Sequence, residues 1–116
     1  MPTIDKYNDF RTDTLTGEAL RLAVAIREFM RSEDALYNGG CRAFYSPDEW
    51  KERGEMFGTG SALILCHDGG ELSYRCNWDK CRIEEIRRFD DFIYTLGYYV
   101  ESLTGWYSAL YPLEAK

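Results

Sequence analysis

Long hydrophobic runs are missing from this sequence of 116 residues. The longest apolar window, residues 22–26, is far shorter than the roughly 20 residues that a membrane-spanning helix needs. Residues 1–10 contain no apolar segment of the kind found in a secretory signal peptide. We therefore expect a cytoplasmic protein with no membrane partner. In that compartment its four cysteines are expected to be reduced thiols.

Basic residues are also in short supply, with 14 Lys and Arg against 20 Asp and Glu, for a formal net charge of -6. Proteins that bind nucleic acid generally need a basic surface to displace counterions from the phosphates. The charge therefore argues against direct binding of DNA or RNA. It is compatible with docking on a basic protein surface, including one that normally holds nucleic acid. The alternative is that the charge serves only solubility.

Recognisable cofactor and metal motifs are absent as well. Residues 58–61 (Gly-Thr-Gly-Ser) precede a predicted strand, whereas phosphate-binding loops follow a strand and open a helix. Cys66, Cys76, Cys81 and His67 are the one candidate metal set, since thiolates and imidazole suit tetrahedral zinc. However, Cys66 and His67 are neighbours on a predicted strand and point to opposite faces of it. We expect plain structural cysteines, no metal and no cofactor.

The sequence gives equally little support for a catalytic site. A cysteine nucleophile needs an imidazole within hydrogen-bond reach, and Cys41 is the one thiol in a glycine-rich loop that could approach His67. We expect His67 to be exposed at the tip of a hairpin, next to Asp68. Carboxylate pairs such as Asp90 and Asp91 fall on polar helix faces among arginines, which is typical of a solvated surface. The sequence predicts a protein that is not an enzyme.

The centre of the chain, residues 61–78, predicts a β-hairpin. Residues 62–66 form a continuous apolar run, as expected of a strand covered on both faces. Residues 68–70 (Asp-Gly-Gly) have the chemistry of a tight turn. Residues 72–78 then alternate between apolar and polar side chains, as in a strand with one wet face.

Two main helices and one short helix are predicted around this hairpin. Residues 18–31 and 79–96 have helical periodicity, with a single apolar stripe on each. The stripes are Leu15, Ala19, Leu22, Ile26, Phe29 and Met30 in the first helix, and Ile83, Ile86, Phe89, Ile93 and Leu96 in the second. Between them, Ser46 and Glu49 can form a capping box at the start of a helix that runs to about Arg53. Pro47 suits its first position.

The C-terminal part predicts two more strands, at residues 98–100 and 106–111, joined by a turn at 104–105. The chain as a whole, residues 1–116, is therefore expected to be a single α+β domain. Its helices would pack on one face of a small antiparallel sheet, made of the hairpin 61–78 and the C-terminal strands.

A partner-binding surface is predicted from two features. The short helix carries the most acidic local patch, and the last strand carries a cluster of aromatic residues of which one face could stay open. Exposed aromatic clusters often mark partner surfaces. The predicted contact residues are Asp48, Glu49, Glu52, Glu55, Trp106, Tyr107 and Tyr111.

Two segments of the chain carry a resemblance to a known class of proteins. They are residues 12–33 (TDTLTGEALRLAVAIREFMRSE) and residues 46–74 (SPDEWKERGEMFGTGSALILCHDGGELSY). Both resemble small acidic accessory proteins of tailed bacteriophages, which mostly have no assigned activity. The resemblance implies a cytoplasmic protein of an infected bacterium that blocks a host factor or a defence complex by surface binding.

The function that these observations favour is a non-enzymatic protein-binding module. Its partner would be a host or defence protein, or a nucleoprotein complex, with a basic surface. One alternative is a homodimer with a structural or regulatory role, paired through an edge strand at residues 106–111. A small metal protein built on the Cys and His residues named above is a further alternative.

Overall fold

Four helices and a four-stranded antiparallel sheet form the fold of residues 9–76 and 82–115, the part of the chain that the computed structural model describes. In chain order they are α1 (Gly17–Ser32), β1 (Phe44–Tyr45), α2 (Pro47–Glu52), β2 (Leu63–Cys66), α3 (Glu71–Cys76), α4 (Ile83–Thr95), β3 (Tyr98–Ser102) and β4 (Tyr107–Pro112), followed by a short 3-10 helix (Leu113–Ala115). The predicted α+β class is confirmed. Residues 77–81, with the predicted strand position Trp78 and the candidate ligand Cys81, lie outside the described residues.

The sheet has the strand order β1-β2-β4-β3. All four residues of β2 are buried, which confirms the prediction of a strand covered on both faces. The register between β2 and β4 defines two faces. The first face carries Leu63, Leu65, Ser108 and Leu110, and the second face carries Ile64, Cys66, Tyr107 and Ala109.

The predicted hairpin 61–78 is wrong in its second half. Residues 71–76 are the short helix α3, and β2 pairs with β1 and β4 instead. The alternation of apolar residues fitted a helix equally well, because Leu72 and Cys76 lie one turn apart and are both buried.

Contacts from the loop at residues 37–38 explain why this segment is helical. The backbone amide of Glu71 donates to the Tyr37 carbonyl oxygen at 2.8 Å, and that of Leu72 donates to Oδ1 of Asn38 at 3.3 Å. These acceptors satisfy amides in the first turn, which a helix cannot satisfy by itself. Tertiary contacts therefore decide the conformation here, and the local pattern does not.

The two main helices are confirmed. The buried residues of α1 are Leu22, Ala23, Ile26 and Met30. All of them except Ala23 belong to the predicted apolar stripe. In α4 the buried residues are Ile86, Phe89 and Ile93, while Ile83 at the first position is exposed. Both helices pack over the first face of the sheet, where their apolar side chains share one core with Leu63, Leu65 and Leu110.

The short helix α2 is confirmed together with its cap. Ser46 Oγ accepts a hydrogen bond from the Glu49 amide at 3.1 Å, and the Glu49 carboxylate accepts one from the Ser46 amide at 2.9 Å. Contrary to the prediction that all helices share one face, α2 covers the second face. Trp50 is fully buried there in a cluster with Ile64, Cys66, Tyr107 and Ala109.

Removing the cap provides a test of this local structure. Ser46→Ala should lower the free energy of unfolding by about 1 kcal/mol, because the Glu49 amide loses its acceptor. Thr16→Ala is the matched control, since Thr16 is the N-cap residue of α1 but makes no side-chain capping hydrogen bond. Chemical denaturation of the two variants measures the difference. Equal losses in both would contradict a stabilising role for the capping box.

The C-terminal strands are confirmed, but the predicted edge position of residues 106–111 is wrong. β4 is bonded to β2 on one side and to β3 on the other, so β3 and β1 are the outer strands. Residues 107–110 are buried, whereas Tyr111 and Pro112 at the end of the strand are half-buried. A homodimer cannot form by edge pairing of β4 while the sheet is intact.

Candidate docking groove

The two predicted contact segments, α2 and the start of β4, lie side by side on the second face. Trp50 joins them, since its ring centroid is 4.8 Å from that of Tyr107 and 5.7 Å from that of Trp106. Tyr45 of β1 contacts the same ring at 4.9 Å. This aromatic cluster packs the short helix against the sheet.

An open groove of about 310 Å³ separates the loop after α2 from the β3–β4 connection. It is lined by Gly54, Glu55, Met56, Phe57, Thr104, Trp106 and Tyr107. We call this the docking groove. Met56 is 81% exposed and Phe57 58% exposed, which places two consecutive large apolar side chains in solvent at its wall.

Gly58 sets the position of this wall. Its φ of 86° lies in the left-handed region. A Cβ at this position would overlap the side chains of Ile64 and Leu103. The chain can therefore lie directly on the sheet after Phe57. The Ser61 amide and hydroxyl both donate to the Gly58 carbonyl oxygen, which holds the turn closed.

Arginine side chains neutralise much of the predicted acidic patch. Arg42 makes two hydrogen bonds of 2.8 Å to the Glu49 carboxylate. Burial alone would raise the pKa of Glu49, but the hydrogen bonds from Arg42 and from the Ser46 amide outweigh it and leave the pKa below its ordinary value. Arg53 lies 3.7 Å from the Glu55 carboxylate and stacks over the Trp50 ring.

Asp48 and Glu52 are the acidic residues of α2 that remain exposed. Among residues 9–76 and 82–115, no ion pair joins either of them to a basic side chain. Within the described residues, the predicted acidic surface is thus reduced to the two exposed carboxylates of α2 that no basic side chain pairs.

The other predicted contact residues, apart from Tyr111, line the docking groove. Glu55 and Trp106 line the docking groove, and Trp106 is half-buried. Tyr107 also lines it but is buried, so it supports the groove floor rather than offering a free contact surface. Tyr111 is half-buried outside the groove, with its ring 5.9 Å from that of Tyr99.

Met56 and Phe57, the most exposed part of the groove wall, were not predicted from the sequence. The sequence nevertheless contains a pattern that indicates exposed apolar side chains at these positions. Two large apolar residues stand between Gly54 and Gly58, in a segment with neither helical nor strand periodicity. An apolar pair in such a loop is expected to be solvent-exposed unless it folds back on the core.

A second cavity, of about 470 Å³, lies between α4 and β3. Its lining includes Asp90, Tyr94 and Tyr98, and Tyr94 is 65% exposed. Burial raises the pKa of Asp90, and the neighbouring Asp91 carboxylate adds to this. Tyr98 is already engaged, because its hydroxyl donates to the Glu18 carboxylate.

The prediction that His67 is exposed is wrong. His67 is buried below the first face, and its Nε2 lies 2.9 Å from Ser108 Oγ. Cys76 is also buried, which raises the pKa of its thiol. Within the described part of the chain, no three His, Cys, Asp or Glu side chains form a group that could hold a metal ion.

None of the described helices combines the length and the apolar character that crossing a membrane would need. Comparisons of the chain with family models, with curated proteins and with solved structures gave no match.

Proposed function

We propose that this protein is a non-enzymatic binding module that docks a partner protein in the groove beside α2. The observation that carries the proposal is the exposure of Met56 and Phe57 on a wall that buried aromatic residues support. Exposed apolar side chains rimmed by polar residues mark interaction sites in soluble proteins. Because the groove is already formed, a partner would bind without a large ordering penalty.

The chemistry of the groove indicates the kind of partner segment. An aliphatic or aromatic anchor would fill the space between Phe57 and Trp106. A Lys or Arg elsewhere on the partner surface would meet the exposed carboxylates of Asp48 and Glu52 on α2. We therefore propose a partner with an apolar anchor on a basic surface, and no direct contact with nucleic acid.

The biological setting is a proposal of the same kind. The resemblance to phage accessory proteins suggests that the partner is a host or defence protein, or a nucleoprotein complex, in the cytoplasm of an infected bacterium. The partner's activity would be modulated because its surface is covered.

Capture from a bacterial lysate on the immobilised chain tests the docking groove. The double variant Met56→Ser/Phe57→Ser should lose at least about 30-fold in affinity for the captured partner, the effect of removing an interface hot spot of about 2 kcal/mol. Tyr94→Ser is the matched control, because it removes an equally exposed ring from the other cavity. Circular dichroism of all variants confirms folding.

The outcomes separate the possibilities. A partner retained equally by the groove variant and the control would contradict docking in this groove. Failure of the wild-type chain to retain any specific protein at about 50 mM salt would contradict the binding-module proposal, since screening there is weak. A dimer in sedimentation that the groove variant abolishes would replace the partner protein with a second copy of this chain.

A further inference from the structure

Two cysteine thiols that are distant in sequence lie in contact beside the start of β1. Cys41 Sγ is 3.3 Å from Cys66 Sγ. A disulfide bond is about 2.05 Å long, so these sulfur atoms need to approach by little more than an ångström to bond. The two thiols differ in access, because Cys41 is half-buried whereas Cys66, at the end of β2, is buried.

The surroundings of Cys41 favour its thiolate. The contact with the Cys66 thiol is the main cause and a hydrogen bond from the Asp68 backbone amide adds a second. Together they outweigh partial burial and lower the pKa of Cys41 below its ordinary value. The Asp68 and Asp9 carboxylates oppose this shift. The pKa of Cys66 is raised, because its hydrogen bond with Cys41 and its burial both favour the protonated thiol.

The two sulfur atoms are suited to different steps of an oxidation, one to reaction with a peroxide and the other to disulfide formation. An accessible thiolate is the reactive form of cysteine toward peroxides. A second thiol in contact with it can resolve the first oxidation product, provided that it gives up its proton to the leaving hydroxyl as it attacks. Cys76 provides a comparison within the same chain, since it is buried and its thiol pKa is raised.

We propose that Cys41 and Cys66 form a reversible oxidation site for hydroperoxides. The Cys41 thiolate attacks one peroxide oxygen, the O–O bond breaks, and the leaving hydroxide or alkoxide takes up a proton. Cys41 is thereby oxidised to a sulfenic acid, and the peroxide is reduced to water or an alcohol. Cys66 then attacks the Cys41 sulfur, the S–S bond forms, and the sulfenic hydroxyl leaves as water with the Cys66 proton.

Treatment of the reduced protein with hydrogen peroxide tests this site. The wild-type chain should lose two hydrogens in intact mass and yield one linked peptide pair, Cys41 with Cys66, which dithiothreitol separates. Cys66→Ser should stop at a sulfenic acid on Cys41 that dimedone traps. Cys76→Ser is the matched control and should form the Cys41–Cys66 bond at the wild-type rate.

The dependence on pH adds a second readout. The oxidation rate of the wild-type chain should rise with pH and level off below pH 9.0, the ordinary pKa of a thiol, because the lowered pKa of Cys41 completes its thiolate earlier. Cys41→Ser changes a half-buried loop residue, so it keeps the test valid if Cys66→Ser fails to fold. In that variant peroxide should produce no intramolecular disulfide.

Three results would overturn the proposal. One is a preference of peroxide for Cys76 or Cys81 over Cys41. Another is a disulfide that joins any pair other than Cys41 and Cys66. The third is a Cys41–Cys66 bond that resists dithiothreitol, because the bond would then be permanent rather than reversible.

Discussion

Glu33→Gln should lower the free energy of unfolding by about 3 kcal/mol. Glu33 is the close charge partner of Arg75, whose side chain is only 4% exposed and lies 2.7 Å from the Glu33 carboxylate. Breaking a buried ion pair from one side leaves an uncompensated charge in the interior, which typically costs about 3–5 kcal/mol. We expect a loss of stability at the lower end of this range, since the Glu71 carboxylate remains 3.9 Å from the Arg75 guanidinium. Urea denaturation measures the loss.

Glu28→Gln is the matched control for this experiment. Glu28 pairs with Arg31 at 2.9 Å, but its side chain is 52% exposed. Exposed pairs of this kind contribute about 0.5 kcal/mol. Equal losses in the two variants would contradict the assignment of Glu33 as the partner of a buried charge.

The pH dependence of stability gives an independent check on Glu33. Its hydrogen bonds from Arg88 and Arg75 outweigh burial and lower its pKa from the ordinary 4.5. The pair therefore stabilises the fold above pH 4.5, and this contribution is lost as the pH falls through the lowered value. The Glu33→Gln variant should show a shallower loss of stability in that acid range. An unchanged slope would exclude this role for Glu33.

Gly70→Ala should destabilise the protein by at least about 4 kcal/mol or prevent folding. Gly70 lies directly before α3 and packs backbone to backbone against Asn38. A Cβ on Gly70 would overlap the Cα, the carbonyl carbon and Oδ1 of Asn38. Asn38 cannot withdraw, because its Nδ2 donates to the Cys66 carbonyl oxygen at 2.8 Å and its backbone amide donates to Asp9 at 2.8 Å.

Gly60→Ala serves as the control for this substitution. No atom lies within 4 Å of a Cβ built at Gly60. Its stability should be unchanged or slightly increased, because alanine restricts the unfolded chain. Thermal unfolding compares the two variants. A Gly70→Ala protein with the wild-type midpoint would show that the contact with Asn38 is not close-packed.

Features that local chemistry decides were predictable from the sequence. The apolar stripes of α1 and α4 identify both helices, since only a helical period places such residues on one face. The Ser46–Glu49 capping box needs only residues that are three apart, and the structure contains it. The strand β4 was predicted from its aromatic residues and from Pro112 at its end.

Features that distant contacts decide were not predictable. α3 owes its first turn to acceptors on Tyr37 and Asn38, more than thirty residues earlier. β1 is two residues long and exists because Phe44 and Tyr45 pair with β2. No local sequence pattern predicts either contact. For the same reason the sequence could not show that β4 is an inner strand.

The docking groove was predictable in part. The sequence indicated Glu55 and Trp106 because acidic and aromatic residues suggest a contact surface. Arg42 comes close to Glu49 only in the fold, so its neutralising effect could not be foreseen, whereas Arg53 is only two residues from Glu55 in the sequence. Tyr107 shows the same limit, since its burial depends on Trp50 packing against it.

The inner position of β4 has a consequence for the order of folding. Leu63 of β2 pairs with Leu110 of β4, and Tyr98 of β3 pairs with Pro112, so β2 is joined to β3 only through β4. The β3–β4 contact is local, whereas the β2–β4 contact requires closure of the long segment that contains α3 and α4. Loop closure of this kind is entropically unfavourable and slows folding. The β3–β4 ribbon can therefore form early, and its docking onto β2 is the step expected to limit the rate.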